Sequence, residues 1–340
     1  MDISISHTFA VNTIFMFLRN KLKYIVLLLS SCSIPISFAF NLGLKKWKQI
    51  DSVTSPFIVV LGTAQDGGYP HAGCKKSCCA KYYLGKESRH YVSCLALIDP
   101  VTKQRWFFDC TPDFIFQLHA LDSIYPVEGN GISGILLTHA HIGHYTGLMY
   151  LGREAMNTKK VPVYAMPRMR EFLKNNGPWS QLVSIKNIDI RNLSNDSTIH
   201  LNDRISITPF IVPHRDEYSE TVGFRISTKN MNVIYIPDIN KWNLWNKDIA
   251  QVVKDNDLVF IDGTFFKDGE LSGVKMQEVP HPFIEETMNL LSSLSDKDKA
   301  KVHFIHMNHT NPVLIGDTAA TNEIHRNHFQ LAKELDEYKL

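Results

Sequence analysis

A chain of 340 residues with 44% hydrophobic content is long enough for one large domain or two small ones and carries enough apolar side chains for a sizeable core. Its 36 Lys and Arg residues nearly balance 34 Asp and Glu, for a net charge of +2, and no long basic run is interleaved with aromatics. The composition therefore excludes a disordered chain, and the charge pattern gives no indication of nucleic-acid binding.

In chain order, the first 40 residues stand apart. Arg19, Lys21 and Lys23 precede an apolar run from Tyr24 to Leu29, and small residues follow, which is the order of a secretory signal. The run is too short to span a bilayer as a mature helix. Met16 makes a more conventional start than Met1, because the basic segment then adjoins the initiator. Two processing sites stay open: "LSSC" ending at Cys32 has the form of a lipoprotein box, with lipid on the cysteine, and "SFA" ending at Ala39 has that of ordinary signal cleavage. The expected location is extracytoplasmic, periplasmic or membrane-anchored, with membrane contact only through a lipid on Cys32.

From residue 55 to 340 the pattern is that of one domain. Runs rich in β-formers at 56–62, 93–99, 105–110, 134–138, 161–165, 205–212, 223–227, 232–238, 258–263 and 302–307 predict strands. Helical patterns fall at 112–121, 146–156, 167–174, 242–254 and 283–294. Many strands, few helices and several strands ending in Asp or His predict α+β sheets with helices packed outside and a polar site along one rim.

The stretch "LLTHAHIGHYTGL" places His139, His141 and His144 just after the strand "GILLT". Imidazole is a common zinc ligand, and a three-histidine set with an open position is the pattern of a catalytic metal site. Earlier, "LGTAQDGGYPHAGCKKSCCAKYY" gathers His71, Cys74, Cys78 and Cys79 in a glycine-rich loop, a candidate structural zinc site. A disulfide or free buried thiols are the alternatives, since export permits disulfides.

"THAHIGHYTGL" resembles the HxHxDH signature of the metallo-β-lactamase fold, and the resemblance continues over most of the chain after residue 55. "VPH" at His214, "VIYIPDI" with Asp238 and "VHFIHMNHTNP" with His306 resemble that fold's later motifs, and "WFFDC" places Asp109 where the family keeps a carboxylate that orients ligand histidines. The resemblance implies an αββα sandwich of two mixed sheets. It also implies one metal on His139, His141 and His214 and a second on His144, Asp238 and His306, with Asp238 between them. The cysteine-rich loop resembles zinc-binding insertions of the coenzyme-PQQ synthesis B branch and of the phosphonate-pathway cyclic phosphodiesterases, and "NNGPWSQLV" and "IHMNHTNPVL" resemble the PQQ branch. "DLVFIDGTFF" and "EVPHPFIEET" resemble a stretch that this branch shares with the phosphonate-pathway cyclic phosphodiesterases and the tRNA 3′-processing nucleases. That likeness marks His281 as a catalytic histidine, oriented by Asp262, and His309 is a further substrate-facing candidate.

Gly143 departs from the signature, because the family's aspartate at that place ligates the second metal. Asp66 and Asp113 are the candidate replacements, and a positive-φ turn is the alternative reason for glycine. On this reading Gly143→Asp should raise metal content. The expected activity is hydrolysis of a small-molecule phosphodiester, lactone or similar ester by water activated on one or two zinc ions, with iron as the other candidate metal. A PQQ-branch oxidoreductase and a noncatalytic surface-tethered binding protein are the rival readings. The oligomeric state is left open.

Overall fold

A computed structural model describes residues 54–340, and a compact unit spans Val53–Leu340. The expected export signal, with Cys32 and Ala39, lies outside the described residues. Within them, no helix is long and apolar enough to cross a membrane.

The strands are β1 (Phe57–Gly62), β2 (Cys94–Asp99), β3 (Gln104–Phe108), β4 (Gly134–Leu136), β5 (Val161–Ala165), β6 (Ile188–Asn192), β7 (Ile199–Asn202), β8 (Ile205–Ile211), β9 (Val222–Ser227), β10 (Asn232–Ile236), β11 (Leu258–Asp262), β12 (Val302–Ile305), β13 (Gln330–Leu331) and β14 (Glu337–Lys339). They form two seven-stranded sheets, ordered β14-β1-β2-β3-β4-β5-β6 and β13-β12-β11-β10-β9-β8-β7. Each sheet is antiparallel on one side and parallel on the other, as the expected two mixed sheets require.

Side-chain alternation explains the layering. Along β10, Val233 and Tyr235 point into the space between the sheets, where they meet Phe108, Phe224 and Phe260. Ile234 and Ile236 point the other way, against Trp242, Ile249 and Ile284 of the helical layer. Strands buried on both faces read as continuous apolar runs, and this is why "VIYI" and "LVFI" carry no polar alternation. Phe108 sits edge-to-face with Phe224 and Tyr235 at centroid distances of 5.5 and 5.8 Å. Each such buried aromatic stabilises the sandwich by about 1.5–3 kcal/mol.

Two helical expectations are corrected. The pattern at 146–156 forms only a 3₁₀ segment, Thr146–Leu151, and the one at 242–254 splits into Trp242–Leu244 and Ile249–Lys254. In the second case Asp248 accepts from the Ala250 N–H and starts a new helix, so the chain cannot continue the earlier turn.

The strand directions decide where the chemistry lies. β3 runs parallel to β4, and β10, β11 and β12 run parallel to one another. β1 is antiparallel to β2, which is antiparallel to β3, so β1 and β3 point the same way; β8 and β10 are related through β9 in the same manner. Asp66, Asp109, His139, His214, Asp238, Asp262 and His306 stand at or just beyond the C-terminal ends of these strands. They therefore share one rim of the sandwich.

Candidate metal centre

Three overlapping groups of metal-ligating side chains meet on that rim: His139, His141, His214 and Asp238; Asp66, His144, Asp238 and His306; and Asp238, Asp262 and His281. Within each group the ligand atoms lie within 4.8 Å of one another. Asp238 belongs to all three and is 2% exposed.

The histidine rings are held in one polarity. Thr138 Oγ1 donates to the Asp109 carboxylate at 2.9 Å and accepts from His139 Nδ1–H at 3.0 Å. His144 Nδ1–H donates to Asp109 Oδ2 at 2.7 Å, and His214 Nδ1–H to Asn240 Oδ1 at 3.2 Å. Thr264 Oγ1 accepts from His306 Nδ1–H at 3.0 Å while donating to the His306 carbonyl at 3.1 Å. In each case an oxygen occupies Nδ1, so the lone pair of Nε2 faces inward. His141 is reversed: its Nε2–H points at Glu217 Oε2, 3.2 Å away, leaving Nδ1 free.

These inward atoms have no partners in the protein. His139 Nε2, His141 Nδ1, His214 Nε2, Asp66 Oδ1 and Asp238 Oδ1 are all buried without a hydrogen bond. His144 Nε2 and His306 Nε2 face each other at 3.3 Å, and His144 Nε2 lies 2.9 Å from Asp66 Oδ1. Lone pairs so close repel unless a proton or a cation sits among them. The donor set of imidazoles and carboxylates therefore fits a divalent metal ion.

Electrostatics agree. Burial, then the charge on His144, holds His139 well below its ordinary pKa, in the neutral form that ligates. Burial would raise Asp238, but His214, His281 and His306 hold it well below the carboxylate range, so it stays ionised. Burial would depress His144, yet Asp109 and Asp66 push it well above its ordinary value. Without metal, His144 thus keeps a proton at neutral pH that an entering cation must displace. Affinity at the Asp66–His144–His306 pocket should consequently rise with pH, roughly tenfold per unit while one proton is released. Calorimetric titration in buffers of different ionisation enthalpy measures that release, and its absence would contradict the assignment.

Asp109 is fully buried and adopts a left-handed backbone with φ 70°, a conformation that costs a non-glycine residue about 1–3 kcal/mol. Its carboxylate also accepts from the Thr138 N–H at 2.8 Å. Asp109→Asn should keep the fold but lower metal affinity about 10–100-fold, because an amide offers His144 a donor where an acceptor is needed. Metal-competition titration reads this directly.

Most expected residues meet, and three expectations change. The carboxylate missing at position 143 is supplied by Asp66, whereas Asp113 is engaged elsewhere, by Arg89 and by the Val92 N–H. Gly143 lies in the short helix Ile142–Tyr145 and is not among the positive-φ glycines, so a turn does not explain it. A Cβ there would stand 2.4 Å from Asp66 Oδ1 and 2.5 Å from Asp66 Cα; glycine makes room for the replacement carboxylate. This overturns the expectation that Gly143→Asp raises metal content.

The third change concerns the thiols. Cys74, Cys78 and Cys79 group with His309, not with His71. His71 instead lies against the His309 ring at 4.2 Å, and its N–H reaches Cys79 Sγ at 3.3 Å. His309 thus moves from the substrate-facing set to the thiol cluster. Among the described residues all five cysteines are free, with Cys74 and Cys78 sulfurs 3.7 Å apart. Thr138, Thr264, Asn240 and Glu217, which orient the rings, carried no signal beyond being polar residues near strand ends.

A buried set of histidines and carboxylates on the rim of an αββα sandwich defines a metallo-enzyme of the metallo-β-lactamase fold. The family model described as beta-lactamase superfamily domain matches residues 104–307, well over half of the chain, and the chain belongs to that superfamily. Coenzyme PQQ synthesis protein B of Xanthomonas campestris pv. campestris (strain B100) is 27% identical over 280 residues, covering 76% of this chain and 91% of that protein. The crystal structure of Zn(2+)-bound PqqB from Methylobacterium extorquens matches with a TM-score of 0.72 at 22% identity, over 84% of this chain and all of that one. A diphosphatase from the PhnP family matches at 0.58 and 20% identity, over 84% of this chain and 97% of its own.

Proposed function

We propose that the protein is a metal-dependent hydrolase of small-molecule phosphodiesters, lactones or similar esters. The observation that carries this reading is the convergence of five unpartnered ligand atoms on two adjoining pockets that share Asp238. His139, His141, His214 and Asp238 would hold one ion, and Asp66, His144, His306 and Asp238 a second. Bound there, zinc would supply Lewis acidity and lower the pKa of a coordinated water from 15.7 toward about 7.

The chain's own groups complete the chemistry. Asp238, kept ionised, orients the attacking water between the two pockets. His281 donates Nδ1–H to Asp262 Oδ2 at 2.8 Å, which leaves its Nε2 to protonate a leaving oxygen or stabilise developing negative charge. Burial would depress His281, but Asp262 and Asp238 raise its pKa to about 9, so the proton is present at neutral pH. The sign follows: assistance from His281 is full near neutrality and is lost as pH rises toward about 9. His281→Ala should lower kcat about 10²–10⁴-fold on alkyl leaving groups and far less on nitrophenolate, with metal content unchanged. Equal losses on both leaving groups would contradict the proton-donor role.

Cys74, Cys78, Cys79 and His309 would hold a structural zinc ion, closed and tetrahedral. The reading includes export and a small-molecule substrate, supported by the basic, apolar and small-residue order of the N-terminal segment and by charge that favours no polyanion. The 27% identity to a PQQ synthesis protein favours one second reading, an iron- and oxygen-dependent oxidoreductase. Metal analysis of protein purified without added metal, with a panel of esters and phosphodiesters, tests both. Zinc with hydrolytic turnover supports the hydrolase, and stoichiometric iron without turnover supports the second reading.

A further inference from the structure

The thiol cluster and the second metal pocket are built on the same two chain segments. The segment leaving β1 carries Asp66 and then Cys74, Cys78 and Cys79; the segment leaving β12 carries His306 and then His309. Close to Asp66 and His306 the two are tied through the backbone: Met307 N–H donates to Thr63 O and Gln65 N–H to Met307 O, both at 2.8 Å, around the parallel bridge between Ala64 and Met307. Beyond Asp66 and His306 they meet again at the three thiols and the His309 ring, where His71 also stacks.

The first metal pocket has no such dependence. His139 and His141 follow β4, His214 follows β8 and Asp238 follows β10, and none of these segments contributes a ligand to the thiol cluster. With its carboxylate at position 143, the second pocket would draw only His306 from these two segments. Because the carboxylate comes from Asp66, its placement rests on a loop of "TAQDGGYPHAGC" that holds three glycines and has no regular secondary structure of its own. The Asp66 carboxylate lies 2.9 Å from His144 Nε2 and 3.6 Å from His306 Nε2, so a small shift of either segment would open the pocket.

We propose that Cys74, Cys78, Cys79 and His309 act as positioning residues for the second catalytic metal. An ion on the thiol cluster closes the two segments into a clamp that sets Asp66 against His306, and loss of that ion selectively weakens the Asp66–His144–His306 pocket. This rests on the metal-centre reading above. Such a coupling is reciprocal: filling the second pocket must tighten the thiol site by the same factor.

The test uses the full chain, stripped of metal and titrated with Co²⁺, whose thiolate charge-transfer absorption marks the cysteine cluster apart from the histidine pockets. The binding step that disappears in Asp66→Ala identifies the second pocket. His309→Ala, which leaves three thiolates with an open fourth position, should shift the charge-transfer band to higher Co²⁺ concentration and weaken that step about tenfold or more, within the roughly 5–150-fold range of ordinary couplings, while the His139–His141–His214 step changes less than about twofold. His309→Cys, which restores a fourth ligand, should bring both the band and the second step back to lower Co²⁺ concentration. Weaker cobalt binding at the thiols with the second step unchanged would overturn the proposal, as would equal weakening of both histidine steps, which marks general loosening. A wild-type chain showing the thiolate band but no histidine steps would instead overturn the metal-centre reading itself.

Discussion

Gly143→Asp should lower the occupancy of the second metal pocket, although it restores the carboxylate that the superfamily signature contains. The new Cβ would sit 2.5 Å from Asp66 Cα, a distance that forces the β1 loop or the Ile142–Tyr145 helix to move. Overpacking of this kind costs about 1–3 kcal/mol, and it pushes away the carboxylate already in place. Gly143→Ala is the control, since it adds the clash without a new ligand and should also lose metal. Asp66→Ala leaves the backbone undisturbed and removes the ligand outright. Losing an outer partner of a ligand costs about 10–100-fold in metal affinity, so losing Asp66 should cost at least about 100-fold. Plasma emission analysis of dialysed protein reads all three variants. A rise in metal content for Gly143→Asp would contradict the assignment of Asp66.

Asp238→Asn should have the larger effect on turnover. Its Oδ1 lies 3.2 Å from His214 Nε2 and 3.3 Å from His281 Nδ1, while Oδ2 lies 3.4 Å from His139 Nε2 and 3.9 Å from both His144 Nε2 and His306 Nε2. With His141 Nδ1 4.0 Å from Oδ2, one carboxylate thus faces six imidazoles, and the amide would remove the negative charge that both pockets share. Several kcal/mol of electrostatic stabilisation lost together correspond to a fall in kcat/KM of roughly 10³-fold or more. Steady-state kinetics on the esters and phosphodiesters of the proposed substrate class measures it. A loss below about tenfold would remove Asp238 from the centre of the mechanism, since less than about 1.4 kcal/mol would then depend on it.

The sequence announced the interior of this fold better than its margins. The ten apolar runs all became strands, but β6, β7, β13 and β14 were not expected, and these are the four edges of the two sheets. An edge strand buries little: β14 alternates exposed and half-buried residues, and β7 has no fully buried one. Hydrophobic periodicity, the main signal available, is weakest where one side faces water. The 3₁₀ segment Thr146–Leu151 failed as a helix for a related reason, because its apolar pattern continues from the metal loop and is buried by packing rather than by helical repeat.

At the site, residues at strand ends were legible because a polar side chain closing an apolar run has few purposes. Asp109, Asp238, Asp262 and His306 all stand out in this way. Partners chosen by the fold were not. Local spacing put His71 with its neighbouring cysteines, whereas β12 delivers His309 to them from the far end of the chain. Likewise, an empty place at Gly143 was visible and Asp66 was one of two candidates to fill it, but only the fold separates Asp66, which reaches the pocket from the loop after β1, from Asp113, which does not. Exchange of a ligand between two segments conserves the pocket and erases the motif, and only the arrangement of the strands restores the connection.

Anomalous diffraction from zinc-loaded crystals of the full chain, recorded on both sides of the zinc absorption edge, tests the central claim most directly. The account predicts two peaks on the rim, one bounded by His139, His141, His214 and Asp238, and the other by Asp66, His144, His306 and Asp238. A single rim peak on the first set, with the Asp66 carboxylate turned away from His144 and His306, would contradict it.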